Sequence, residues 1–216
     1  GAKIEGHGTK TILVQGVTNL KNAEHEIISD RIVAGTYIIG ALMLNSALEI
    51  NNFNTIYLKS LIDILKKMGA KLKVSKNSIK VSKGSKLKSS SLSTSPYPGF
   101  PTDLQAQLMS LMCISDGKSK IKETIFENRF MHVPELNRLG ANITVEKDTA
   151  TIIGNQTFKG AQVMASDLRA SISLVLAAMN ANGQTTLNRV YHLDRGYENI
   201  EKTLGSLGAK IKRQKN

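Results

Sequence analysis

Residues 68–81 read MGAKLKVSKNSIKV, and the fold follows from this phrase. It succeeds LIDILKK (residues 61–67), an amphipathic helical run, so Gly69 stands where a helix ends in the left-handed conformation that closes its last carbonyls. Beyond it Leu72, Val74, Ile79 and Val81 keep period two on either side of a Lys-Asn-Ser turn, which predicts a β-hairpin.

The phrase recurs. Leu139-Gly140-Ala141-Asn142-Ile143 follows VPELNR, Leu207-Gly208-Ala209-Lys210-Ile211 follows IEKTLGS, and the chain opens on GAKI. Glycines 1, 69, 140 and 208 therefore mark a repeat of about 70 residues. ANITVEKDTATIIG after Gly140 predicts the same hairpin around Lys147-Asp148, whereas AKIKRQKN after Gly208 holds only its beginning.

A second landmark lies upstream of each copy: SDRIVAGTYIIGALMLN, PTDLQAQLMSLMCISDG and ASDLRASISLVLAAMNANG. In each, an Asp (Asp30, Asp103, Asp167) after Ser or Thr precedes about a dozen small or apolar residues, as an acid capping a helix N-terminus would. Such helices, apolar on every side, must be enclosed by other elements. The strands ALEINNF, KSKIKETIF and GQTTLNRVY follow them. Each unit thus reads strand, buried helix, strand, exposed helix, hairpin. The expectation is an α/β fold, an inside-out α/β barrel of three βαβαββ repeats around buried helices, with units at about 27–88, 89–155 and 156–216. Residues 1–26 read as the end of another unit and a crossover, so Gly1 is expected at a cut edge.

Composition bounds the function. The 216 residues suffice for a full core, and no apolar run is long enough to span a bilayer. With no secretory signal recognised, the expectation is a cytoplasmic protein. The single cysteine excludes an internal disulfide, and no Cys/His cluster, dinucleotide fingerprint or phosphate-binding Walker loop is present, so no cofactor or metal is expected. Of the net charge of +12, the stretch 59–88 supplies most, with ten lysines against Asp63 alone. These lysines lack interleaved aromatics or arginine, which suits a solvated face rather than a nucleic-acid surface, although an anionic partner stays open.

Arginine is more selective. Arg31, Arg129, Arg169 and Arg195 sit at junctions between elements, beside helix starts, where guanidinium groups either hold carboxylate and phosphate or form internal caps and salt bridges. His132 and His192 occupy strand-to-helix junctions, which suits a structural hydrogen-bonding role.

The stretches SPYPGFPTDLQAQ (95–107), TIFENRFMHVPELNRLGA (124–141), GAQVMASDLRASISLVLA (160–177) and YHLDRGYENIEKTLGSLGA (191–209) closely resemble the UDP-N-acetylglucosamine 1-carboxyvinyltransferases, enolpyruvyl transferases that commit sugar nucleotide to peptidoglycan synthesis. The resemblance runs collinearly through the chain and implies an enzyme acting on UDP-N-acetylglucosamine and phosphoenolpyruvate, without nucleic-acid or membrane partners. It implies that Asp103 meets the sugar 3-hydroxyl as its base, that Ile125 contacts the sugar nucleotide, and that Arg195 binds phosphoenolpyruvate with Arg129 in the same cleft. Asp167 and Arg169 are implied to assist proton transfer and orientation; Arg31, from its place at the start of the first buried helix, is expected to bind substrate with them. It also implies that roughly the first half of the enzyme is missing, including a Lys-Asn pair and a loop with a reactive cysteine. Cys113 does not match that cysteine; within LMSLMCISDG it reads as a small packing residue. Two other readings remain: an enzyme of the 5-enolpyruvylshikimate-3-phosphate synthase kind, and a non-catalytic domain binding a UDP-sugar or another anion.

Overall fold

The computed structural model describes residues 1–214. The middle of the chain carries the full βαβαββ order. Strand β6 (Leu92–Ser93) leads into α3 (Gln105–Ile114), then β7 (Lys118–Lys122), α4 (Val133–Arg138) and the hairpin β8 (Asn142–Glu146) and β9 (Thr149–Ile153). Before it come α1 (Arg31–Met43), β3 (Leu48–Asn51), α2 (Lys59–Lys67), β4 (Leu72–Val74) and β5 (Ser78–Val81). After it come β10 (Gln162–Met164), α5 (Leu168–Asn180), β11 (Thr186–Asn188) and α6 (Ile200–Ser206).

The sheets are β3-β5-β4, β6-β7-β9-β8 and β10-β11. In the second, β6 runs parallel to β7 and α3 is the crossover between them, and α5 crosses in the same way between parallel β10 and β11. The buried helices are therefore crossovers, and α1, α3 and α5 pack on one another at the centre. Leu108, Leu111 and Met112 of α3 and Ile172 of α5 are fully excluded from solvent. A Cβ on Gly35 would fall 2.7 Å from Leu104 Cδ1, so glycine allows the close approach of α1. Polar side chains cross the same seams: Ser110 Oγ donates to Ser173 O at 3.2 Å and Asn180 Nδ2 to Met43 O at 2.8 Å.

The outer helices α2, α4 and α6 end alike. Gly69, Gly140 and Gly208 take φ of 96°, 100° and 97°. Ala70, Ala141 and Ala209 donate back to Leu65, Leu136 and Leu204 at 2.9, 3.0 and 3.0 Å, while each glycine N–H bonds the carbonyl three residues earlier. These are Schellman caps, the physical content of the repeated phrase.

Three departures from the sequence pattern stand out. No strand leads directly into α1: β1 (Lys3–Glu5) and β2 (Leu13–Gln15) pair with each other as an exposed antiparallel hairpin, and residues 16–30 form no regular element. No strand forms over residues 209–214 where the third hairpin was expected to begin; Lys215 and Asn216 lie outside the described residues. Where β9 covers α3 in the second unit, the corresponding faces of α5 and α6 border an open apolar groove of about 570 Å³, edged by Ile172, Leu176, Met179 and Leu204. Thirdly, Asp103 does not cap its helix, and its alternative contacts define the candidate site. The ten lysines of 59–88 are all exposed, as a solvated face requires.

The caps give a stability prediction. Gly208→Ala meets no atom within 4 Å and should cost only the left-handed backbone penalty, about 1–2 kcal/mol. Gly69→Ala should cost clearly more, because its Cβ would also lie 2.8 Å from the Lys86 carbonyl oxygen. Urea unfolding of both variants measures this; equal losses would refute the packing account.

Candidate functional site

The chain enters α1 and α5 through conventional caps. Asp30 Oδ1 accepts from Ile32 N and Val33 N at 2.7 and 3.1 Å, and Asp167 Oδ1 from Arg169 N and Ala170 N at 2.7 and 3.0 Å. The start of α3 differs because Pro101 introduces a short 3₁₀ turn, Thr102–Leu104, with Asp103 inside it. Among the described residues no backbone amide takes up the Asp103 carboxylate, so it is available to other groups.

Two guanidinium groups meet it. Asp103 Oδ1 accepts from Arg129 Nη2 and from Arg169 Nε, each at 3.1 Å. Arg129 comes from the loop between β7 and α4, where Asn128 turns the chain at φ 53°, and its guanidinium lies 5.5 Å above the Phe126 ring. Arg169 belongs to the first turn of α5. The three side chains are partly open to solvent, 41% for Asp103 and 22% and 20% for the two arginines. Two cations facing one carboxylate leave positive charge that an arriving phosphate or carboxylate can take up bidentately.

Beneath the cluster, Gln107 Nε2 donates to Asp103 O at 2.9 Å and to Thr36 Oγ1 at 3.2 Å, and Thr36 shares a 2.7 Å hydrogen bond with the Tyr197 hydroxyl. Burial raises the Tyr197 pKa, which keeps that hydroxyl protonated. This network joins α1, α3 and the segment 195–197. Tyr197 thereby anchors the backbone next to Arg195, an exposed residue at the end of the 3₁₀ segment Val190–Arg195 whose side chain has no ion pair among the described residues. The neighbouring Asp194 is held by Arg213 at 2.9 Å, and Arg213 also reaches Glu201 at 3.2 Å. The Arg213 guanidinium lowers the pKa of Asp194.

Of the residues singled out in the sequence, Asp103, Arg129 and Arg169 come into direct contact, and Asp167 caps the helix that carries Arg169. Ile125 lies on the Arg129 loop, half-buried, at the rim of an open groove of about 760 Å³ that also touches Arg129 and Lys147. Arg31 points elsewhere: it donates to Tyr57 O at 3.5 Å and stacks 5.0 Å above the Tyr97 ring. Cys113 is buried in α3, and burial pushes its thiol up to about 12, so it packs as an inert side chain.

The histidines are a correction. His132 is only 2% exposed and His192 half-buried, yet Nε2 of neither finds a partner among the described residues, so the expected hydrogen-bonding role is not visible there. Burial lowers the His132 pKa to about 4, with Asp167 pulling it up and Arg129 pushing it further down. At neutral pH it is an uncharged, buried ring.

Sequence reading passed over Glu123, Gln107, Thr36 and Tyr197. For Glu123 a signal existed: Ser119, Ile121 and Glu123 share the inward parity of β7 and its continuation, with exposures of 1%, 0% and 5%, so a carboxylate stood at a core position.

A family model described as EPSP synthase (3-phosphoshikimate 1-carboxyvinyltransferase) matches residues 1–204. The chain belongs to this family. Among its relatives, a UDP-N-acetylglucosamine 1-carboxyvinyltransferase of Pelagibacter ubique is 51% identical over 99% of this chain and 51% of its own length. One of Mesorhizobium japonicum is 52% identical over the same shares. The EPSP-synthase-family fold is equally clear in solved structures. The enolpyruvyl transferase NikO from Streptomyces tendae superposes with a TM-score of 0.89 at 30% identity, covering 98% of this chain and 51% of that one. EPSP synthase from Acinetobacter baumannii superposes at 0.77 with 18% identity, over 100% of this chain and 53% of that one, a likeness of fold alone. The chain spans about half the length of the relatives it matches. No helix among the described residues is long and apolar enough to cross a membrane.

His132 supplies a pH test. Its depressed pKa means that the native state holds the neutral ring, so this contribution to stability is complete above pH 6.5 and is lost as pH falls toward 4. His132→Gln should flatten that part of the stability profile, read by urea unfolding between pH 7 and 4; parallel profiles for the two proteins would contradict it.

Proposed function

We propose that this chain supplies one wall of the active site of a cytoplasmic UDP-N-acetylglucosamine 1-carboxyvinyltransferase, which moves the enolpyruvyl group of phosphoenolpyruvate to the sugar 3-hydroxyl. The observation that carries the reading is the Asp103 carboxylate held between Arg129 and Arg169 where the central helices begin, in a chain half identical to relatives bearing that name.

The chemistry needs a base, a proton source and cations. The 3-oxygen attacks C2 of phosphoenolpyruvate as its proton leaves and C3 gains one; the resulting tetrahedral adduct then loses a C3 proton and expels phosphate. Asp103 accepts the hydroxyl proton in this reading, and Arg129, Arg169 and Arg195 hold the phosphate and carboxylate, stabilising charge that moves during the reaction. Because Asp103 is paired with both guanidiniums here, an arriving anion that draws Arg129 and Arg169 to itself also frees the carboxylate for the hydroxyl. Asp167 assists proton transfer from the start of α5 and Ile125 contacts the sugar nucleotide, whereas Arg31, held on Tyr57 and Tyr97, is left out of the substrate contacts.

The family model's description favours a second reading, an acceptor of the shikimate 3-phosphate kind. Phosphate release separates the two. The full-length protein should turn over with phosphoenolpyruvate and UDP-N-acetylglucosamine but not with shikimate 3-phosphate, and this chain alone should be inactive. Turnover only with shikimate 3-phosphate, or turnover by the chain alone, would overturn the proposal.

Removing the base should be severe: Asp103→Asn in the full-length protein should lower kcat about a hundredfold or more. Arg129→Ala and Arg169→Ala should weaken phosphoenolpyruvate binding, whereas Lys71→Ala and Lys80→Ala, on the exposed basic face, should not. Equal losses from the lysine changes would favour a non-catalytic, charge-driven binding surface instead.

A further inference from the structure

Glu123 is a carboxylate at a core position, 5% exposed, and no cation pairs with it among the described residues. Four neutral donors surround it. Oε1 accepts from Thr94 Oγ1 at 2.7 Å, Ile125 N at 2.9 Å and Phe126 N at 3.3 Å, and Oε2 accepts from Thr102 Oγ1 at 2.9 Å. Thr94 and Thr102 are themselves buried, at 1% and 8%. Thr94 Oγ1 also accepts from Thr124 N at 2.9 Å, and Glu123 N donates to Asp148 O at 2.8 Å, so the knot continues into the hairpin turn.

A buried carboxylate is costly unless its lone pairs are satisfied, and a carboxylate is the one side chain that accepts from four donors while donating none. What these donors share is their place in the chain. Thr102 immediately precedes Asp103, and Ile125 and Phe126 open the loop that ends in Arg129. Thr94 stands at the entry of the 95–101 loop, which closes on itself through Ser95 N to Phe100 O at 3.0 Å. One side chain therefore ties the helix start bearing the carboxylate of the site to the loop bearing its guanidinium.

We propose that Glu123 is a positioning residue for the transfer reaction: it holds the Ile125–Arg129 loop in register with Asp103 from beneath, without touching substrate. The proposal rests on the reading of Asp103 and Arg129 given under Proposed function. Satisfied buried networks rigidify what they join, and displacing a reacting group by about 1 Å costs up to about a hundredfold in rate. Gln at this position would turn an Nε2 donor toward donors, leaving at least one of the four arms broken.

The test has two readouts. In the full-length protein, hydrogen exchange at the Ile125 and Phe126 amides should accelerate at least tenfold in Glu123→Gln, while the amides of β8 and β9 keep their protection. In the same protein, kcat should fall about tenfold or more in Glu123→Gln with a smaller change in the KM for UDP-N-acetylglucosamine. Thr102→Val should lower kcat in the same direction, Thr102→Ser should restore it, and the Glu123→Gln/Thr102→Val double variant should lose little beyond Glu123→Gln alone. If Glu123→Gln fails to fold, the Thr102 pair carries the test, since the other three donors remain. A merely structural Glu123 would lower Tm while the folded enzyme kept wild-type kcat and while Thr102→Val matched Thr102→Ser; that result overturns the proposal, as does unchanged exchange at Ile125 and Phe126. A wild-type protein without turnover would instead defeat the functional reading, and the exchange readout would still decide whether Glu123 fixes the loop.

Discussion

Everything in this molecule depends on enclosing three helices that have no polar side to give to water. SISLVLAA and LQAQLMSLMCI cannot face solvent, so each helix must be covered by its two counterparts inside and by a sheet and an amphipathic helix outside. Strand parity, outer-helix amphipathicity and the glycine caps all serve that enclosure. The repeat of about 70 residues is the length of chain needed to supply one central helix with its cover. The open groove beside α5 and α6 shows the same rule from its unfilled side, since among the described residues no strand covers it as β9 covers α3.

Enclosure also places the chemistry. Helices that converge at the centre bring their first turns together, and first turns carry free amides and positive dipole ends. Asp30 and Asp167 consume those amides in the usual way. At α3 the proline-led 3₁₀ turn breaks the pattern, and the freed Asp103 carboxylate is met by Arg129 from its own unit and Arg169 from the next. The departure from threefold regularity is where the candidate site lies. Around it, uncharged groups hold the geometry: Gln107, Thr36 and Tyr197 on one side, Thr94 and Thr102 on the Glu123 carboxylate on the other.

Much of the fold was legible because its signals are local and repeated. Gly69, Gly140 and Gly208 each mark a helix end, and the period-two runs after Gly69 and Gly140 each form a hairpin. After Gly208 no strand forms over residues 209–214, so the third copy of the phrase shows its helix cap without a hairpin. The site was legible in its residue types, since Asp103, Arg129 and Arg169 stood at junctions, but not in its pairing. Nothing local says that Arg31, equally placed after a capping Asp, reaches Tyr57 and Tyr97 rather than the central carboxylate. Glu123 was hidden because charged residues in KSKIKE resemble a solvent face until the parity of Ile121 is followed by two residues. Gln107 and Tyr197 were hidden because their bonds span helices distant in sequence.

In the proposed reaction the Asp103 carboxylate exchanges its two guanidinium partners for the acceptor hydroxyl when substrates arrive. A crystal structure of the full-length protein with UDP-N-acetylglucosamine and a non-reactive phosphoenolpyruvate analogue tests it most directly. An Asp103 oxygen is expected within hydrogen-bonding distance of the sugar 3-hydroxyl, with Arg129 and Arg169 turned onto the analogue's anionic groups. An Asp103 still bound to both arginines, with the 3-hydroxyl facing another residue, would contradict it.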